Sequence, residues 1–261
     1  MTPEAALATK GWCRFDHDPL LSQWVHAVHP IAAALTRDPR NIEDWLRCGG
    51  TWFAGVNVLP NDARGGVGDG PQLCGRAVDV VTALHGAQNW DRAQVSVIYP
   101  RYPLPMEGES AAAFAFRRDR DAAHVDGLLP IGPDRRRHLH EPHGFVLGIP
   151  LTETSKGASP MVVWEGSHKI MKAAFSEALS DVSPRDWGQV DLTEIYQAAR
   201  RRCFEDCPRV VVHAQPGEAY LIHRLALHGV ARWADGASAP PEGRMIAYFR
   251  PELSDISRWL A

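Results

Sequence analysis

The sequence predicts a mainly β protein, a sandwich or barrel of short strands, carrying a helical N-terminal layer. Three observations lead there. Apolar residues in the first ninety positions recur at helical spacing. From about Ala93 they gather instead into short β-rich runs separated by turn residues. No Pro/Ser/Gly-rich linker divides the two parts, so the 261 residues are expected to form one domain, 1–261. Within it, 1–92 is mainly helical support, 93–252 is the β core, and a helical insertion lies at about 170–205.

The elements follow in order. Asp18-Pro19 is a helix start, a capping side chain followed by proline in the first turn. Leu20, Trp24, Val28, Ile31 and Leu35 then repeat at helical spacing, and Pro30 is expected to kink or divide that helix. A second short helix is expected from about Ile42 to Cys48, stopped by Gly49-Gly50. Residues 61–71 read as a polar, glycine-rich loop, and Ala77 to Leu84 as a third helix. Strands are expected at Gln94–Tyr99, Phe145–Leu151, Met161–Trp164, Arg209–Ala214, Ala219–His223 and Arg244–Phe249. Asp191 with Glu194 resembles a capping box for a helix running toward Arg202.

Composition excludes several functions. A net charge of -3 gives no basic field for nucleic acid. No run approaches the roughly 20 apolar residues that a bilayer span requires. The N-terminus lacks a charged-then-apolar secretory signal, so a cytoplasmic protein acting on a small molecule is expected. Oligomeric state is not legible. The five cysteines are scattered and read as reduced thiols.

The chemistry starts at His124-Val125-Asp126-Gly127. Residues two apart on an extended chain share a face, so His124 and Asp126 can offer an imidazole and a carboxylate to one ion. A second histidine from a distant strand completes a face of two histidines and a carboxylate, the triad of non-haem Fe(II) oxygenases. The run Gly217 to Gly229 carries two candidates, His223 and His228. Five residues apart, they point to opposite faces of a continuous strand, so only one can ligate. Arg244 opens the run Arg244-Met245-Ile246-Ala247-Tyr248-Phe249-Arg250, and an arginine fork pairs bidentately with a carboxylate.

These motifs resemble, in order, those of the phytanoyl-CoA dioxygenase family of Fe(II)/2-oxoglutarate oxygenases. The resemblance covers about Gln94 to Arg250, with a weaker echo at Gly11 to Phe15, and includes the middle stretch Leu151 to Lys169. It implies a double-stranded β-helix, a jelly-roll relative of the cupins. It implies His124, Asp126 and His228 as iron ligands, the last because glycine follows it, and Arg244 as the anchor for 2-oxoglutarate, with O2 as the second co-substrate. Tyr99 and Arg101 are the upstream candidates, Tyr99 toward the co-substrate. Gly166-Ser167-His168 matches a family turn, with a substrate-side role as the minor reading for His168. Trp164 and Arg120 are further substrate candidates. Because Asp126 is present, hydroxylation of an aliphatic C–H, with release of succinate and CO2, is expected rather than halogenation.

The chain also departs from the pattern. Ala158-Ser159 and Glu165 replace the family's Asn-Gly and proline, and Val230 stands where a serine often helps hold 2-oxoglutarate. Asp235 to Gly243 reads as an inserted loop, and Arg232 is a rival anchor. His138, His140 and His143 form a rival cluster read as a surface loop. The arginines at 117, 118, 120 and 135–137 bracket the HVDG segment and could attract an anionic substrate. The stretch from Pro100 to Arg120 is long enough to act as a lid. Two other functions fit less well: a cupin-type metalloenzyme that does not use 2-oxoglutarate, and a binding protein that kept the fold.

Overall fold

The structure, a computed structural model, describes residues 1–261. Strands are numbered in chain order. A seven-stranded antiparallel sheet runs β1 (Trp12–Phe15), β10 (Ala219–His223), β7 (Phe145–Pro150), β12 (Arg244–Phe249), β4 (Gln94–Ile98), β3 (Trp52–Phe53), β2 (Leu46–Arg47). A three-stranded sheet, β11 (His228–Val230), β8 (Met161–Trp164), β9 (Arg209–Val212), belongs with it. A hairpin joins β5 (Leu128–Ile131) to β6 (Arg136–Leu139). The larger sheet and the smaller one form the double-stranded β-helix, with a shared core between them.

The central strands of the large sheet, β10, β7, β12 and β4, are buried on both faces, which explains why they read as continuous apolar runs rather than strict alternations. Period two still sorts the side chains. Met245, Ala247 and Phe249 of β12 point outward with Phe145, Leu147, Ile149, Val95 and Val97, into a core shared with the N-terminal helices. Ile246 and Tyr248 point inward with Val146, Tyr220 and Ile222, against Met161 and Val163 of the small sheet. The helices that cover the outer face are α1 (Pro3–Lys10), α2 (Pro19–Leu35), α3 (Pro39–Trp45) and α4 (Arg76–His85). Trp24 of α2 lies 5.8 Å, ring to ring, from Phe249, and Trp90 lies 5.0 Å from it.

Several local expectations shift. Pro30 neither ends nor divides α2, which is one helix of 17 residues capped by Asp18. Buried residues on both sides of the proline, Val25, Val28, Ala32 and Ala33, hold it to the sheet, and that burial outweighs the missing N–H bond. The second helix starts and stops earlier than expected. Asp38 caps it, and the chain passes at Leu46 into β2; Gly49 and Gly50 form the link from β2 toward β3 instead of a helix stop. The Pro100–Arg120 stretch contains helix α5 (Ala111–Asp119), capped by Ser110. The segment around His138 is the β5–β6 hairpin, not an irregular loop. The helical insertion comprises α6 (Ser167–Ala178) and α7 (Thr193–Asp206), packed over a second core with Trp164, Phe175 and Trp259.

Candidate metal centre

His124, Asp126 and His228 converge: one ligand atom from each lies within 4.8 Å of the others. His124 Nε2 is 3.1 Å from Asp126 Oδ1, and His228 Nε2 is 3.9 Å from the same oxygen. The backbone brings them together directly. His124 and His228 face each other across an antiparallel bridge, exchanging N–H···O bonds of 2.8 and 3.0 Å. That approach needs glycine beside it. A Cβ at Gly229 would sit 2.2 Å from the Asp121 carbonyl oxygen, and one at Gly127 (φ +88°) 2.2 Å from that of Glu141. The glycines that follow Asp126 and His228 are therefore packing requirements.

Each imidazole is fixed by its own chain. His124 Nδ1 is 3.0 Å from the Ala122 carbonyl and His228 Nδ1 is 2.9 Å from that of Ala226. A carbonyl only accepts, so each Nδ1 must carry the proton and donate it. That leaves Nε2 of each ring facing Asp126 as the atom available to a metal, with His124 Nε2 close enough to donate to Asp126 Oδ1 until a metal takes that place. Burial pushes His228 down to about 4, so it is neutral near pH 7. Burial works to raise Asp126, but Arg250 and the two imidazoles outweigh it and hold the carboxyl well below its usual range. Burial works to lower His124 as well, but its contact with Asp126 outweighs that and raises it above the ordinary histidine value. The set is one carboxylate, one neutral imidazole and one imidazole that Asp126 draws toward its protonated form, two histidines and a carboxylate of the kind that suits a first-row divalent ion.

A second layer holds these ligands. Asp121, buried at the start of the segment, receives a fork from Arg209 of β9, with Nε–Oδ2 2.7 Å and Nη2–Oδ1 2.9 Å. The Asp121 carbonyl also accepts from Val230 N at 2.9 Å. Ser167 ties the end of β8 to the residue before His228, donating to Trp164 O at 2.6 Å and accepting from Leu227 N at 2.8 Å.

A 350 Å3 cavity opens on the ligands, lined among others by Trp52, Tyr102, Met161, Val230 and Tyr248. Arg244 lies on the same inner face of β12 as Tyr248. It is buried, with Nη2 3.5 Å from Tyr248 Oη, and Tyr220 Oη donates to that oxygen at 2.9 Å. Its Nη1 is buried with no partner. A buried, unpaired guanidinium N–H is costly unless a ligand meets it.

The other sequence candidates lie elsewhere. His223 faces away from the triad, 4.9 Å from the His168 ring. His168 itself is buried beside Gly11, its Nε2 3.1 Å from Ala8 O, away from the ligand-lined cavity. Trp164 packs on Phe204 at 5.2 Å, under the helical insertion. Tyr99 packs against the outer core, and Arg101 and Arg232 are exposed. Arg120 lies over the Phe204 ring at 4.9 Å. Tyr102 takes the place expected of Tyr99 in the cavity wall. Of the bracketing arginines, Arg117 pairs with Glu109, Arg118 with Asp119, and Arg136 with Asp191 and Glu194, which neutralises much of the rim. His138 lies on β6, 3.2 Å from Gly188 O, and His143 is buried beside Glu141 at 3.3 Å. Arg250 is the residue that sequence reasoning passed over: it lines the cavity, with Nη1 3.5 Å from Asp126 Oδ2. Its even spacing from Arg244 and Tyr248 was the available signal.

No protein-family model and no curated protein match this sequence. Solved structures do share its shape. EctD from S. alaskensis with bound Fe aligns at a TM-score of 0.50 and 15% identity, over 96% of this chain and 76% of that one. The non-heme alpha ketoglutarate dependent carbocyclase SnoK from nogalamycin biosynthesis aligns at 0.48 and 15% identity, over 99% and 90%. At such identity the EctD likeness speaks to the fold, and it agrees with the double-stranded β-helix read from the strand order.

Proposed function

We propose that the protein is an Fe(II)- and 2-oxoglutarate-dependent oxygenase, of the phytanoyl-CoA dioxygenase type, that hydroxylates an aliphatic C–H of a small organic substrate. One observation carries the proposal. A face of two imidazoles and a carboxylate shares the inside of the β-helix with a buried arginine whose Nη1 lacks a partner. EctD, which has the same fold, is known with Fe bound.

The residues present fit the group. His124 Nε2, Asp126 and His228 Nε2 would hold the metal, leaving positions open. Iron bound there supplies sites for a chelating 2-oxoglutarate and for O2, whose reaction hydroxylates the substrate and releases succinate and CO2. The protein's own part is orientation. Arg244 receives the distal carboxylate of the co-substrate, with Tyr248 and Tyr220 fixing the guanidinium. Tyr102 and Val230 close the wall where the family often has a serine. The largely apolar cavity keeps water from the reacting atoms.

The test is an anaerobic titration of metal-free protein with Fe(II) and then 2-oxoglutarate, watching the weak visible charge-transfer band of the chelate. Wild type is expected to show it, and His124→Ala to lose it. Arg244→Gln is expected to need about ten- to a hundredfold more 2-oxoglutarate, the loss of a charge-assisted pair. Metal binding without the band in wild type would point to another class of cupin enzyme.

A further inference from the structure

Two cavities reach the metal face and a third adjoins them through Arg250. The 350 Å3 cavity and a second of 310 Å3 both reach His124 and Asp126. A third, of 750 Å3, is polar and opens beside them, with Asp91, Arg92, Glu141, Glu252 and Arg258 among its walls. Arg250 is the residue common to all three. Its side chain is 20% exposed, and its contact with the protein is Nη1 to Asp126 Oδ2 at 3.5 Å. No other N–H of this guanidinium meets a protein acceptor. Of the neighbouring charges, Arg92 donates to the Val58 and Leu59 carbonyls, and Glu141 pairs with His143. Arg244, at the other end of β12, lies six residues away, so the two guanidinium groups are separate.

Resting on the oxygenase reading, we propose that Arg250 is the specificity residue and that the substrate is a small organic carboxylate entering from the 750 Å3 cavity. One nitrogen of Arg250 steadies Asp126. The planar fork that remains offers paired N–H donors matched to a carboxylate. This would hold the substrate's acid group beside the metal face and orient its carbon chain toward the apolar walls of the 350 Å3 cavity. Half of the charged rim foreseen around HVDG, Arg117, Arg118 and Arg136, is paired with acidic residues, so recognition moves inward, where a charge is less screened by water.

The test uses protein loaded with Mn(II) and saturating N-oxalylglycine, which occupies the Arg244 end. Hexanoate and 3-phenylpropanoate are titrated beside their primary amides, with binding read by ligand-observed NMR. Wild type is expected to bind the acids more tightly than the amides. Arg250→Gln should weaken the acids about tenfold or more and leave the amides unchanged, while Arg250→Lys, a variant that keeps the charge, should restore part of the loss. Acids no tighter than amides in wild type, or equal acid binding in wild type and Arg250→Gln, would overturn the proposal. Failure of Mn(II) and N-oxalylglycine to bind wild type would instead count against the oxygenase reading. The same titration on metal-free protein then decides the point: acid binding lost in Arg250→Gln but kept in Arg244→Gln supports the role of Arg250, and binding unaffected by either change refutes it.

Discussion

The two faces of strand β12 do different work. Outward, Met245, Ala247 and Phe249 meet the N-terminal helices through apolar contact alone. Inward, Arg244, Tyr248 and Arg250 carry polar groups into the β-helix, and one of them, the Arg244 Nη1, has no partner in the protein. A single strand thus separates what stabilises the fold from what the fold is for. Apolar packing is satisfied by the protein itself, while a buried unpaired donor persists where a ligand is to meet it.

The largest expected effect on the outward face is that of Phe249→Ala. Phe249 is 1% exposed and sits between Trp24 and Trp90, so truncation should cost about 3–5 kcal/mol and lower Tm by about 10 °C. If the two faces are separable, Mn(II) affinity of the folded variant stays within about twofold of wild type. A calorimetric melt and a metal titration check both halves. A large loss of metal affinity would show that the outer core shapes the site.

The converse change is Arg209→Met, which removes the fork that holds Asp121 ahead of the HVDG segment. Supporting contacts of this kind are worth about ten- to a hundredfold in metal affinity. Arg209 is partly exposed, with 43% of its side chain accessible, so water can reach part of the released carboxylate and the stability loss should be smaller than for Phe249→Ala. Unchanged Mn(II) affinity would mean that the His124–His228 bridge alone positions the ligands.

Much of this was legible in the sequence, and for identifiable reasons. Met161–Trp164, Ala219–His223 and Arg244–Phe249 are strands with those bounds, because each is a short β-branched or aromatic run between turn residues. The convergence of His124, Asp126 and His228 rested on spacing and motif order, which survive without knowledge of loops. What failed depended on partners distant in sequence. Pro30 stays helical because the sheet beneath it favours that. The basic segment around His138 became a strand because β5 lies opposite it. Tyr99 and Tyr102 could not be told apart, since the turn after β4 decides which ring enters the cavity. Arg250 was within reach: its alternation with Arg244 and Tyr248 places it on the ligand face.

The smallest expected effect concerns acid, and it falls on the outer side of the molecule. His85 at the end of α4 lies 4.9 Å from the Phe145 ring, and His223 ends β10. Burial, aided by Arg224, pushes them down to about 4 and about 3 from 6.5. His223 Nδ1 also accepts from Leu225 N at 3.1 Å, a bond that protonation would break. Both rings are therefore neutral in the folded protein, whereas in the unfolded chain they take up protons below pH 6.5. The stability they contribute is fully present above that pH and is lost as pH falls from 6.5 toward the folded values. Between pH 6.5 and 5.5 the loss should be about 1 kcal/mol for each ring. Urea melts at the two pH values measure it directly. His223→Gln, which keeps a polar group at Leu225 N but cannot titrate, should flatten the dependence by about half. An unchanged slope both in that variant and in His85→Gln would place the acid sensitivity on the inner face instead, and would break the division of labour drawn from β12.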